Sequence, residues 1–223
     1  MSFFHSLTLC IMLKKLLILI LLISQLSFSQ TEKDDYELYS LVLTDIIQLG
    51  KTSKTDSILL IEKYENQFDK SDYEIFDPKY DSVTELDLSY VSIYKDTIFL
   101  KRLLIEPILK KVVVNLTSDF EKHPIIKTDL LTKDNLFIRP ISSEKYLSFF
   151  GKKGWQKNSW KKIRRKYGIG KVVELSKIHY EKKLASIYYG IHCGGLCGNG
   201  GFVIFEKVNE KWIILTTINM WES

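Results

Sequence analysis

From residue 171 onward the chain alternates between apolar runs and short polar breaks. Lys171–Tyr180, Leu184–His192, Gly201–Val208 and Lys211–Asn219 are each rich in Val, Ile, Tyr and Phe, and Glu181–Lys183, Cys193–Gly200 and Asn209–Glu210 separate them. β-Branched and aromatic side chains suit a pleated, half-buried surface, and breaks this short leave no room for crossover helices. The runs therefore predict an antiparallel β-meander of about four strands.

Upstream the periodicity changes. Between Asp34 and Leu49, apolar residues fall at Leu38, Leu41, Val42, Ile46 and Leu49, the three-and-four spacing of an amphipathic helix, and Gly50 follows as a stop. Ser57–Tyr64 is a short apolar run bounded by charges and predicts a buried strand. Asn66–Asp87 is acidic and loop-like, with a turn at Asp77-Pro78, and Leu86–Leu109 has the character of one or two helices, the second ending near Pro107. Lys111–Thr117 is β-branched and strand-like. Residues 118–145 look irregular, with Pro124 and Pro140 as breakers and Leu136–Arg139 as a brief pairing segment. Two helical pieces follow, Ser143–Phe150 and Asn158–Tyr167, divided by a break at Gly151–Gly154, with Ser159 as the cap of the second. Helices collected ahead of strands predict an α+β domain in which helices from the amino-terminal part cover one sheet face.

The first thirty residues read differently from the rest. Lys14-Lys15 forms a positive n-region, Leu16–Leu26 an apolar h-region, and Ser27-Phe28-Ser29 offers small residues at the two cleavage-specifying positions. This is the pattern of a secretory signal peptide covering residues 1–29, with Met12 as the better start. The alternative is an uncleaved anchor, but Leu16–Phe28 falls short of the ~20 apolar residues that span a bilayer. A single domain of 194 residues, 30–223, then remains. It carries no transmembrane span, and the periplasm or the exterior of a bacterium is its expected location.

Charge is distributed unevenly beneath a formal total of +5. Residues 30–100 hold 16 acidic and 7 basic side chains, a balance of −9, whereas residues 145–171 hold ten lysines and arginines and no acid. The basic stretch includes Lys152, Lys153, Lys161, Lys162, Arg164 and Arg165, interleaved with Trp155, Trp160 and Tyr167. Two readings apply. Trp160, Ile163 and Tyr167 are spaced three and four apart, so the segment reads as an amphipathic helix with an apolar stripe on the sheet and solvated cations outside. The cations could also engage an anionic surface or envelope component, whereas export counts against nucleic acid.

The remaining chemistry centres on Cys193-Gly194-Gly195-Leu196-Cys197-Gly198-Asn199-Gly200-Gly201, with five glycines in nine residues. Two cysteines four apart in so pliant a segment are easily brought to disulfide separation, and export favours oxidation. On the chain-entropy model so short a loop contributes only about 2 kcal/mol, so the bond would shape the hairpin. A redox pair would be Cys-x-x-Cys at a helix start, and a zinc site using His192, Cys193, Cys197 and His179 lacks a second pair of suitable spacing. The loop also lacks the Lys-Ser/Thr ending and following helix of a phosphate cradle. Neither a metal nor a cofactor is expected, and no catalytic residue can be named. Asn115-Leu116-Thr117 matches a glycosylation sequon, but it sits in a strand-like run behind a bacterial signal; His123 reads as a loop histidine.

About sixty residues of the carboxy-terminal third resemble a group of small exported bacterial proteins of unknown function. The resemblance rests on Trp160–Tyr167, Leu175-Ser176, Ser186–Tyr189, Cys193–Gly198, and Lys211-Trp212 leading to Trp221-Glu222-Ser223. Such proteins usually carry Tyr-Pro where this chain has Tyr167-Gly168. The resemblance implies an exported protein and no particular activity. The expectation is a non-enzymatic binding domain whose surface is the hairpin tip, Gly194, Gly195 and Leu196, with Lys161, Lys162, Arg164 and Arg165 nearby. The alternative is an exported enzyme, thiol-dependent through Cys193 or Cys197.

Overall fold

The computed structural model describes residues 32–46, 56–63, 97–114, 125–132, 136–151, 158–195 and 197–223. Its strands are β1 (Asp56–Ile61), β2 (Leu136–Ile141), β3 (Val172–Leu175), β4 (His179–Glu181), β5 (Leu184–Gly194), β6 (Cys197–Val208) and β7 (Lys211–Glu222). They form one sheet in the order β2-β1-β3-β5-β6-β7, with β4 paired to β5 beside this path. The expected antiparallel meander is present as β5-β6-β7. β3 runs antiparallel to β5, and β1 extends the sheet by pairing in parallel with both β3 and β2. The signal segment 1–29, the acidic stretch 66–87, the sequon, His123, Lys152, Lys153, Trp155 and Leu196 lie outside the described residues.

The helices are α1 (residues 32–46, with its last turn, Val42–Ile46, in π geometry), α2 (Thr97–Ile105), α3 (Pro107–Val114), α4 (Ser143–Leu147) and α5 (Ser159–Tyr167). They cover both faces of the sheet, where one covered face was expected. The reason is visible in β5, whose residues Leu184 to Ile191 are all buried although alternate side chains point to opposite sides. Ala185, Ile187, Tyr189 and Ile191 share a core with Leu38, Tyr39, Val42 and Leu43 of α1. On the opposite face, Leu59, Ile61, Ile141 and Val172 pack with Tyr146 of α4, with Phe150 just after it, and with Trp160 and Ile163 of α5. α2 is fastened to that second face by Arg102, which contacts Glu206 of β6 at 2.8 and 3.0 Å and Glu106 at 2.7 and 3.0 Å.

Three local readings are corrected. Lys111–Val114 is helical, because tertiary context outweighs the β-preference of Val112, Val113 and Val114. Lys171–Tyr180 is two strands: at Ser176 the amide donates to Tyr188 O (3.0 Å) while the hydroxyl accepts from Tyr188 N (2.9 Å), and the chain then leaves β5 before β4 rejoins it. Ser159 is the first residue of α5; its hydroxyl donates to Phe149 O at 2.8 Å, and Asn158 occupies the cap position. α5 ends at Gly168 with φ +70°, a left-handed cap that glycine adopts without strain. The expected turn at Asn209-Glu210 has φ of 49° and 62°, the signature of a type I′ hairpin. Among the described residues, no helix is long and apolar enough to cross a membrane.

α1 is held on the sheet by polar contacts at its start as well as by its apolar stripe. Tyr180 Oη donates to Asp35 Oδ1 at 2.6 Å, Lys207 Nζ meets Asp34 Oδ2 at 2.9 Å, and Tyr39 Oη donates to Ser176 O at 3.2 Å. Burial raises the Asp35 carboxyl above the usual range; the Tyr180 hydrogen bond opposes this and the Asp34 charge adds to it. A raised folded-state value means that Asp35 favours folding fully below its unfolded value of about 4, and that this contribution is lost as pH rises through the folded value. Asp35→Asn keeps the acceptor for Tyr180 and removes the ionised form. Urea unfolding should show the variant at least as stable as the parent at pH 7, with any advantage lost once the pH falls below about 4. A clear loss at pH 7 would count against this sign.

Candidate functional site

At the hairpin end of the sheet, on the face covered by α4 and α5, the strand register brings four residues into one row. Glu174 of β3 is opposite Gly190 of β5, Gly190 is opposite Gly200 of β6, and Gly200 is opposite Trp221 of β7. The two glycines leave a depression that the outer pair fills. A Cβ on Gly190 would lie 2.5 Å from Glu174 Oε1, and one on Gly200 would lie 2.4 Å from Trp221 Nε1. Two of the glycines expected to form a turn, Gly198 and Gly200, belong to β6, which also takes in Gly201. At Gly198 and Gly200 the missing side chain makes room for the Trp221 indole.

His192, one pleat along from Gly190, completes the cluster. Its Nε2 lies 3.0 Å from Glu174 Oε1, and the two side chains are only 17% and 11% exposed. A carboxylate this deep needs a donor, and the imidazole supplies it. The Trp221 indole stacks on His192 at 5.4 Å and 26°, and its Nε1 donates to Tyr188 Oη at 3.0 Å. From His192 a chain of rings runs back toward α5: Tyr146 at 6.4 Å, Phe150 5.1 Å beyond it, and Trp160 6.2 Å beyond that. Burial, and then the charge of Glu174, raise the Tyr146 phenol well above its ordinary value, so it stays protonated. Tyr146 Oη is buried without a hydrogen-bond partner among the described residues.

Immediately past His192 the strand bulges, and β5 and β6 continue to Gly194 and Cys197, so the connection is shorter than the expected break. The Cys193 and Cys197 sulfurs stand at disulfide-bonding distance, with Cα atoms 5.2 Å apart. Arg164 of α5 donates from Nη2 to Cys193 O at 2.9 Å, which ties the helix to the hairpin. The structure thus brings Arg164, Cys193, Gly194 and Cys197 together. Lys161, Lys162 and Arg165 lie exposed on the same helix, whose Trp160 and Ile163 are buried as the core stripe. His179 is not part of this site: it pairs with Ser186, six residues or roughly 20 Å along β5 from His192.

Glu174, His192, Tyr146 and Trp221 were not singled out together by the sequence. One signal was available in Val172-Val173-Glu174-Leu175, where a lone acid interrupts an apolar strand. Among the described residues, no group of three His, Cys, Asp or Glu side chains is placed to hold a metal ion. A groove of about 620 Å³ beside α1, lined by residues such as Lys33, Tyr36 and Thr132, shares no residue with the hairpin end. Comparison with protein families, with curated proteins and with solved structures gives no match to this chain.

The glycine row makes a specific demand on stability. Gly190→Ala must displace the Glu174 carboxylate from His192 and should cost ~1–3 kcal/mol in urea unfolding. In a double-mutant cycle Glu174→Ala plus Gly190→Ala should cost less than the sum of the two singles, because the obstructing carboxylate is gone. Additive losses would show that the two positions are not coupled.

Proposed function

We propose that this chain is an exported binding domain that engages an anionic partner through the outer face of α5 and the adjoining hairpin, with Cys193 and Cys197 oxidised to pin that hairpin. One observation carries the reading. The cations of Arg102, Lys111, Lys127 and Lys207 each meet a carboxylate at 2.7–3.2 Å. Lys161, Lys162, Arg164, Arg165 and Lys166 are exposed on α5, and among the described residues none of them forms such a pair. The helix dipole favours Arg164, Arg165 and Lys166 in the last turn, but it offers nothing to Lys161 and Lys162 near the start. Clustered, unneutralised charge of one sign attracts a partner of the other sign. The amino-terminal signal pattern and the resemblance to small exported bacterial proteins support the location.

The charge reading predicts salt-sensitive retention on a negatively charged matrix. Lys161→Glu with Arg165→Glu should elute at much lower salt, while Lys127→Glu, which alters a cation on the opposite side of the sheet, should elute nearly as the parent does. Equal retention of the double variant would remove the proposal.

The alternative, a thiol-dependent enzyme, is separated from this reading by thiol titration of the secreted protein. Two thiols should appear only after strong reductant, as for a structural bond. A free thiol of low pKa in the untreated protein would support the enzyme instead.

A further inference from the structure

Resting on the cationic reading above, we infer that the anionic partner is a phospholipid bilayer surface, contacted along the edge of the domain by Phe137, Arg139, Lys145, Phe149, Lys166 and Tyr167. Arg139, Lys145, Phe149, Lys166 and Tyr167 form a connected set of rings and cations, and Phe137 stands two residues from Arg139 on β2. The Phe149 and Tyr167 rings meet edge to face at 6.0 Å. Lys145 and Lys166 lie over Phe149 at 5.7 and 5.8 Å, and Lys166 and Arg139 lie over Tyr167 at 5.3 and 4.9 Å. Phe137, on the same side of β2 as Arg139, is 61% exposed. Among the described residues β2 is the end strand of the sheet, and Lys166 and Tyr167 carry the set onto the last turn of α5.

The mixture selects the partner. A soluble polyanion rewards cations and hydrogen-bond donors, and an exposed phenylalanine offers it neither. The interfacial zone of a bilayer rewards both parts at once: lysine and arginine reach the phosphates while an aromatic ring enters the acyl boundary. Cations parked over ring faces keep their charge while the rings beneath them stay dry on one side. Contact is peripheral and reversible, because one well-exposed ring, two half-buried ones and a few cations fall far short of an anchor.

Sedimentation of the secreted protein with vesicles tests this, using phosphatidylglycerol mixed into phosphatidylcholine against phosphatidylcholine alone. Binding should require phosphatidylglycerol and fall with salt. Phe137→Ser should weaken it about tenfold without altering elution from the anionic matrix. Phe137→Trp should shift its emission to the blue on phosphatidylglycerol vesicles, and because the position is exposed neither variant should disturb folding. If Phe137→Ser binds vesicles as the parent does, or if dextran sulfate binds the parent while vesicles do not, the lipid assignment is overturned and the cationic reading survives. If neither vesicles nor the anionic matrix retains the parent, both readings fall.

Discussion

Eight consecutive buried residues on β5, Leu184 to Ile191, cannot be accommodated by a single layer of helices, because successive side chains of a strand point to opposite faces. The sheet must be covered twice. α1 supplies one cover through Leu38, Tyr39, Val42 and Leu43, and α4 and α5 supply part of the other through Tyr146, Trp160 and Ile163. Each large side chain withdrawn in this way is worth about 1.5–3 kcal/mol, so the central strand holds more of the stability than any polar contact described above. The placement of α5 beside the hairpin follows from the same requirement.

The glycine row is where the double cover gives way to polar chemistry. Gly190 and Gly200 leave no side chains of their own, and the space is taken by the Glu174 carboxylate and the Trp221 indole. His192 satisfies the carboxylate, Trp221 stacks on His192, and Tyr188 accepts from the indole. The last strand is thereby locked to the middle of the sheet. The hairpin tip beyond is fixed twice more, by the Cys193 and Cys197 approach and by Arg164. Arg164 thereby ties the backbone of α5 to the hairpin, so the helix that carries the cations is placed before any association.

Much of this was legible in the sequence, and the parts that were not share a cause. Apolar runs announced β1 and β5 to β7, and the three-and-four spacing announced α1 and α5, because those signals are local. The helix at Val112-Val113-Val114 was hidden because β-branched residues favour strand until tertiary packing decides otherwise. The glycines near Cys197 read as a turn because loop-like composition is local too, whereas their role depends on which residues stand opposite in β5 and β7. Register across strands also explains why Glu174 and His192, eighteen residues apart, were not seen as a pair. The ring-and-cation patch needed β2 placed at the sheet edge, which the irregular appearance of residues 118–145 concealed.

The central claim is that recognition belongs to one face of the domain, and lysine acetylation footprinting addresses it directly. The chain would be modified free and on phosphatidylglycerol-containing vesicles, and the rate at each lysine compared. The account predicts that Lys145, Lys161, Lys162 and Lys166 become protected while Lys127 and Lys211, which lie exposed elsewhere on the domain, keep their free-state rates. Protection of Lys127 or Lys211 with the α5 lysines unchanged would contradict it.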